Sequence, residues 1–154
     1  MSDGAARILV VDDVPQNVRL LEAVLEAHGY DVVSATDGRT ALATVDLARP
    51  DLVLLDVVMP GLDGYQVLCK MKADPALRNI PVLMISGLDQ ENGIARCIEA
   101  GADDYLTKPT HPAELASRVK AILARSAARQ AQQAQQQPAR KANAAIGVLG
   151  AKGG

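Results

Sequence analysis

The stretch Ile8-Leu9-Val10-Val11-Asp12-Asp13 is a short, wholly aliphatic run closed by two carboxylates. It is apolar throughout rather than alternating, the pattern of a strand covered on both faces, and its length and β-branched content favour strand over buried helix. The same motif returns along the chain. Val32-Val33, Leu52-Val53-Leu54-Leu55, Val82-Leu83-Met84-Ile85 and Tyr105-Leu106 follow in order. Between these runs apolar residues recur at helical spacing. Val18, Leu21, Val24 and Leu25 form one stripe, closed by Gly29 at a natural C′ position. Ala41, Leu42, Val45 and Ala48 form the next, then Val67, Leu68 and Met71, then Ile94, Cys97, Ile98 and Ala102, and last Leu115, Val119, Ile122 and Leu123. Asp37 and Asp63 are placed to cap helices, and Asp13-Val14-Pro15-Gln16 has the form of a capping box with proline in the first turn.

Repeated strand–helix units imply a parallel sheet with right-handed crossovers and helices on both faces. Five strands in roughly 120 residues fit an α/β, flavodoxin-like doubly wound fold with strand order 2-1-3-4-5.

The whole chain has 154 residues, of which 49% are hydrophobic, enough for one domain with a real core and a tail. The core must be aliphatic, because Phe and Trp are absent and Tyr occurs only 3 times. No apolar run approaches the ~18 residues a membrane helix needs. The N-terminus lacks a basic segment followed by an apolar one, so the expectation is a soluble, cytoplasmic protein with no membrane association. Cys69 and Cys97 do not make a disulfide framework. The net charge of −2 hides an asymmetry: all 18 acidic residues lie at or before Glu114, whereas residues 126–154 carry only Arg129, Arg140, Lys141 and Lys152. An acidic body is the wrong sign for direct nucleic-acid binding.

The character changes after Arg125. Residues 126–145 are rich in Ala and Gln and read as a linker or an extension of the last helix, stopping before Pro138. The end, Ala145-Ile146-Gly147-Val148-Leu149-Gly150-Ala151-Lys152-Gly153-Gly154, reads as an apolar strand entering a Gly-rich turn. It resembles the opening of the deviant Walker loop of ParA/MinD-type ATPases, with the later phosphate-cradling residues missing. The domain reading is therefore 1–125, then 126–145, then 146–154 as the start of an ATPase domain in a longer protein.

In such a sheet, ligands bind beyond the carboxyl ends of the strands at the switch in strand order. Strand 1 ends in Asp12-Asp13, strand 3 in Asp56 and strand 4 in Ser86, while strand 5 runs into Thr107-Lys108-Pro109. Strands 1 and 3 are neighbours in this order, so three carboxylates converge and repel one another, and at least one should have a raised pKa. A hard divalent cation resolves that conflict. Mg²⁺ takes oxygen ligands and commonly uses one or two carboxylates together with phosphate oxygens. Lys108 offers a positive charge for another phosphate oxygen and Ser86 a hydroxyl donor.

Asp12-Asp13, Leu55-Asp56-Val57-Val58-Met59-Pro60-Gly61-Leu62-Asp63-Gly64, Ser86-Gly87, Gly101-Ala102-Asp103-Asp104-Tyr105 and Lys108-Pro109, in that order, resemble the response-regulator receiver domain over about residues 6–125. The resemblance implies a switch that catalyses its own phosphorylation without being a turnover enzyme. Asp56 would accept a phosphoryl group from a sensor histidine kinase or phosphotransfer protein. It further implies Mg²⁺, or Mn²⁺ in its place, held by Asp13, Asp56 and the backbone carbonyl of Val58, with Asp12 assisting. Lys108 would pair with the phosphoryl group, and Ser86 and Tyr105 would form the switch pair. A downstream output domain or protein is implied, as is a homodimer through helix 4, strand 5 and helix 5. So is a cis bond before Pro109. Val58 and Leu88 would line the path of the hydrolytic water. Ser86, Gly87 and Thr110 stand where the family more often has Thr, Ala and an aromatic residue.

Taken singly, these residues have plainer readings. Asp12 or Asp13 could be a helix cap, and Asp63-Gly64 reads as turn chemistry. Asp103 and Asp104 read as solvated loop residues, His28 and His111 as surface residues, and Tyr65 as packing. The competing functions are a pseudo-receiver that binds partners without phosphate, a haloacid-dehalogenase-like phosphatase and a flavin binder. Val58 stands where the phosphatase needs a second acid, and acidic strand ends repel a flavin phosphate. The joint placement of Asp13, Asp56 and Lys108 disfavours the pseudo-receiver.

Overall fold

The structure is a computed structural model that describes residues 4–87 and 91–153, with side chains described through residue 133 except at 91 and 92. Strands and helices alternate: β1 Arg7–Val11, α1 Pro15–Ala27, β2 Asp31–Ala35, α2 Gly38–Ala48, β3 Leu52–Asp56, α3 Gly64–Ala73, β4 Val82–Ser86, α4 Glu91–Glu99, β5 Asp104–Thr107 and α5 Pro112–Gly153. The strands form one parallel sheet in the order β2-β1-β3-β4-β5, as the pattern of strand–helix repeats required. The chain forms two units, Met1–Leu123, which holds the sheet, and Ala124–Gly154, which contains α5 from Ala124 to Gly153.

The unbroken apolar runs are explained by burial on both faces. Successive strand residues point to opposite sides of the sheet. Leu9, Val11, Val53, Leu55 and Met84 pack with Ala41 and Val45 of α2, Val67, Leu68 and Met71 of α3, and Cys97 of α4. Ile8, Val10, Leu52, Leu54, Leu83 and Ile85 pack instead with Val18, Leu21 and Leu25 of α1 and Leu115, Val119 and Ile122 of α5. Each fully buried aliphatic side chain contributes about 1.5–3 kcal/mol. With no Phe or Trp, two such layers carry the core.

Local signals behave mostly as read. Gly29 adopts φ +88° after α1, where its N–H donates to the Glu26 carbonyl at 2.9 Å. Asp37 caps α2 by accepting from the Thr40 N–H, and Asp63 with Gln66 forms a full capping box on α3.

Several expectations need correction. Asp13 does not cap α1: the N-cap is Val14, which makes no side-chain cap bond, and Asp12 instead accepts from the Val14 N–H at 2.9 Å. Asp12 leaves β1 aimed at the helix start, so the carboxylate two residues before Val14 takes the amide, and Pro15 at N1 has no N–H to offer. Ile98, read as part of the buried stripe of α4, is exposed. Asp103 and Asp104 are structural: Asp103 accepts from the Val82 N–H at 2.9 Å, and Asp104 pairs with Arg118 at 2.9 Å. The backbone is helical past Pro138 to Gly153, so the helix does not stop before Pro138 and the stretch read as an apolar strand from Ala145 is helical instead. Proline removes one N–H and costs about 3 kcal/mol, but the Ala, Gln, Arg and Lys around it are strong helix formers.

Candidate functional site

Strand register brings the carboxylates together. Val11 pairs with Leu55, so Asp12, one residue on, lies level with Asp56 at the end of β3. On the other side Asp56 pairs with Ile85, and Ser86 pairs with Thr107, one residue before Lys108. The ladder continues past the strand ends: the Val57 N–H donates to the Ile85 carbonyl at 2.9 Å and the Lys108 N–H to the Ser86 carbonyl at 2.7 Å.

Carboxylate oxygens of Asp12, Asp13 and Asp56 lie within 4.8 Å of one another. Asp12 is 2% exposed and Asp56 4%, whereas Asp13 is half-buried. Lys108 Nζ lies 3.2 Å from Asp56 Oδ2 and 3.5 Å from Asp12 Oδ2, bridging the two buried acids. The peptide bond before Pro109 is cis. Burial pushes the Asp56 carboxyl above its ordinary range; Lys108 pulls it back, and the Asp12 charge adds to the rise. The raised acid expected from the sequence is therefore Asp56.

The cluster fits a small divalent cation. Three carboxylate oxygen donors at one spot, with a single lysine against them, form a hard, oxygen-only ligand set with negative charge left over. Asp12 is held by its two further bonds, from the Val14 N–H at 2.9 Å and from Asn17 Nδ2 at 3.2 Å. Ser86 Oγ is fully buried and has no hydrogen-bond partner, which leaves a hydroxyl beside the Asp56–Ile85 pairing with its bonding capacity unused.

The remaining expected site residues are placed as follows. The Val58 side chain is 56% exposed, and its N–H donates to Asp56 Oδ1 at 3.4 Å. Tyr105 is 39% exposed, and its carbonyl accepts from Arg118 at 3.3 Å. Leu88 lies outside the described residues. His28 bonds its own helix at Val24, consistent with a surface role.

Two residues that support the site escaped the sequence reading. Asn17 reaches Asp12 from the first turn of α1, and a polar residue just inside a helix that starts beside an acidic strand end was the available signal. Gly64 was read as turn chemistry, but a Cβ there would overlap the Asp56 carbonyl oxygen and lie 2.8 Å from the Asp56 carbonyl carbon and Val57 Cα. Its N–H donates to the Val57 carbonyl at 2.9 Å, locking the start of α3 against the end of β3.

Beside the cluster, α1 and the turn into α5 enclose a largely apolar cavity of about 460 Å³, lined by Asn17, Leu20, Leu21, Lys108 and Pro109 among others. Among the described residues, no helix is long and apolar enough to cross a membrane.

Comparison with known proteins agrees with this geometry. The family model for the response regulator receiver domain matches residues 8–120. Over 118 residues the chain is 51% identical to the response regulator PleD of Caulobacter vibrioides, covering 77% of this chain but only 26% of PleD. It is 41% identical to the protein PilH of Pseudomonas aeruginosa over 119 residues, 77% of this chain and 98% of PilH. A crystal structure of a putative response regulator from Chloroflexus aurantiacus superposes with a TM-score of 0.75 at 38% identity, covering 78% of this chain and 98% of that one. The chain, through its Met1–Leu123 unit, belongs to the response regulator receiver domain family.

Proposed function

We propose that the protein is a phosphoacceptor signalling switch in which Asp56 takes a phosphoryl group from a sensor histidine kinase or phosphotransfer protein. The observation that carries this reading is the placement of the buried Asp56 carboxylate 3.2 Å from Lys108 Nζ and within 4.8 Å of the Asp12 and Asp13 oxygens. An Asp56 oxygen attacks the donor phosphorus in line, the donor group leaves with its electron pair, and an acyl phosphate remains on Asp56. Lys108, already paired with Asp56, stays as the cation nearest the arriving phosphoryl oxygens. Ser86 offers its unpartnered hydroxyl as a donor. Asp12, Asp13, Asp56 and the Val58 carbonyl would hold Mg²⁺, or Mn²⁺, whose charge offsets that of the phosphoryl group.

The rest of the reading is conformational. Phosphorylation adds a doubly charged group where β3, β4 and β5 end. Ser86 and Tyr105 form the switch pair, with Ser86 buried and Tyr105 exposed before phosphorylation. The surface biased is α4, β5 and α5, where Arg118 already links Asp104 and Glu114, and this face is the proposed homodimer contact. The chain spans about a quarter of PleD, so the output domain or protein that reads the switch is part of the proposal.

Intact-mass measurement after incubation with acetyl phosphate tests this. One phosphoryl adduct that requires Mg²⁺ is expected; no adduct in folded protein with several donors and a kinase would favour a module that binds partners without phosphate.

A further inference from the structure

Outside the acidic cluster, the helix pair α3–α4 carries the chain's two thiols. Both cysteines are free, with Cys97 fully buried in the core layer and Cys69 half-buried. Contacts on either side place them opposite each other. At one end the Arg96 guanidinium lies over the Tyr65 ring, 4.1 Å from its centre. At the other, the Cβ position of Gly101 lies 3.3 Å from Lys72 Cγ. Cys69 falls one turn after Tyr65 and just before Lys72, on the same face of α3. Cys97 follows Arg96 directly and precedes Gly101 by one turn. The two stretches run in the same direction through these contacts, which sets Cys69 and Cys97 on facing stretches of α3 and α4. Burial raises the Cys97 thiol pKa, and Cys69 adds to the rise.

We propose that Cys69 and Cys97 are an oxidation site, closing to an intramolecular disulfide between α3 and α4 under peroxide. The order of events follows from exposure. The Cys69 thiolate attacks a peroxide oxygen; the O–O bond breaks, leaving a sulfenic acid on Cys69 and releasing hydroxide, which takes up the thiol proton as water. The Cys97 thiolate then attacks the Cys69 sulfur, an S–S bond forms, the S–O bond breaks and a second hydroxide leaves with the second proton. Two thiols and one hydrogen peroxide become one disulfide and two waters. Cys97 acts second because it is fully buried, which keeps peroxide from it and disfavours its thiolate until Cys69 is oxidised.

The link bears on the phosphoryl site by geometry. Gly93 and Arg96 of α4 face Val57, Val58 and Met59, the residues just after Asp56, across a cavity of about 190 Å³. A covalent tie from α3 to α4 would hold that wall in place. The proposal stands apart from the phosphoacceptor reading, and its test does not use phosphorylation.

The full chain, reduced and then exposed to hydrogen peroxide, is digested without reductant and mapped by mass. A Cys69–Cys97 cross-linked peptide pair in monomeric protein, with both free thiols lost, is the expected result. Cys69→Ser should remove the cross-link and leave Cys97 alkylatable only after unfolding; Cys97→Ala should leave a sulfenic acid on Cys69 that dimedone traps. Circular dichroism verifies that each variant is folded. Two alkylatable thiols after oxidation of folded wild type, or a disulfide found only between chains, would overturn the proposal.

Discussion

Replacing Gly64 with Ala tests whether the phosphoacceptor strand end is held by close packing against α3. The added Cβ would overlap the Asp56 carbonyl oxygen and sit 2.8 Å from both the Asp56 carbonyl carbon and Val57 Cα. Every one of these obstacles is backbone, fixed by the β3–β4 ladder on one side and by the capped start of α3 on the other. No flexible side chain can give way, so the cost should lie at the upper end of the 1–3 kcal/mol typical of overpacking, about 3 kcal/mol. For a chain of 154 residues that lowers the thermal midpoint by about 6–12 °C. Gly61→Ala is the control: φ is +73° but nothing lies within 4 Å of the new Cβ, so only the left-handed conformation is penalised, by about 1 kcal/mol. Urea unfolding followed by far-UV circular dichroism measures both, since the chain has no Trp for fluorescence. A Gly64→Ala protein within about 0.5 kcal/mol of wild type would refute the packing argument.

Three further outcomes follow from the same geometry. Asp56 has a raised pKa in the folded protein, so the native state holds its proton more tightly than the unfolded chain does. Its contribution is therefore lost as pH rises from the ordinary carboxylate range through the raised value, and Asp56→Asn should be more stable than wild type at neutral pH but not at pH 3; urea midpoints at the two pH values decide it. Lys108→Ala removes the cation bridging Asp56 and Asp12, and should raise the Asp56 pKa further and slow phosphorylation by acetyl phosphate at least about tenfold, read from the time course of the mass adduct. Asp63→Ala breaks the capping box on α3 and should cost about 1 kcal/mol in urea unfolding while the Mg²⁺-dependent adduct still forms.

The sheet was legible in the sequence because a strand covered on both faces has no polar positions to blur it: Leu52–Leu55 and Val82–Ile85 could hardly lie elsewhere. The acids were legible because strand order puts the ends of β1 and β3 side by side. What escaped depends on three-dimensional proximity. Asp12 rather than Asp13 serves the start of α1 because of how the chain leaves β1, which residue types alone do not encode. Gly64 looks like any turn glycine until the Asp56 carbonyl is found against it. Asp104 reads as a loop acid because its partner, Arg118, lies on a helix 14 residues away. Pro138 looks like a helix stop, yet good helix formers on both sides carry the backbone through it.

The central claim is that Asp56 itself becomes an acyl phosphate. Treatment of Mg²⁺- and acetyl phosphate-loaded protein with borohydride reduces an aspartyl phosphate to homoserine, and peptide mapping then locates the reduced residue. Homoserine at position 56, absent without phosphodonor and in Asp56→Asn, is the predicted result. Reduction at Asp12 or Asp13 instead, or a phosphoryl adduct that survives in Asp56→Asn at the wild-type level, would contradict it.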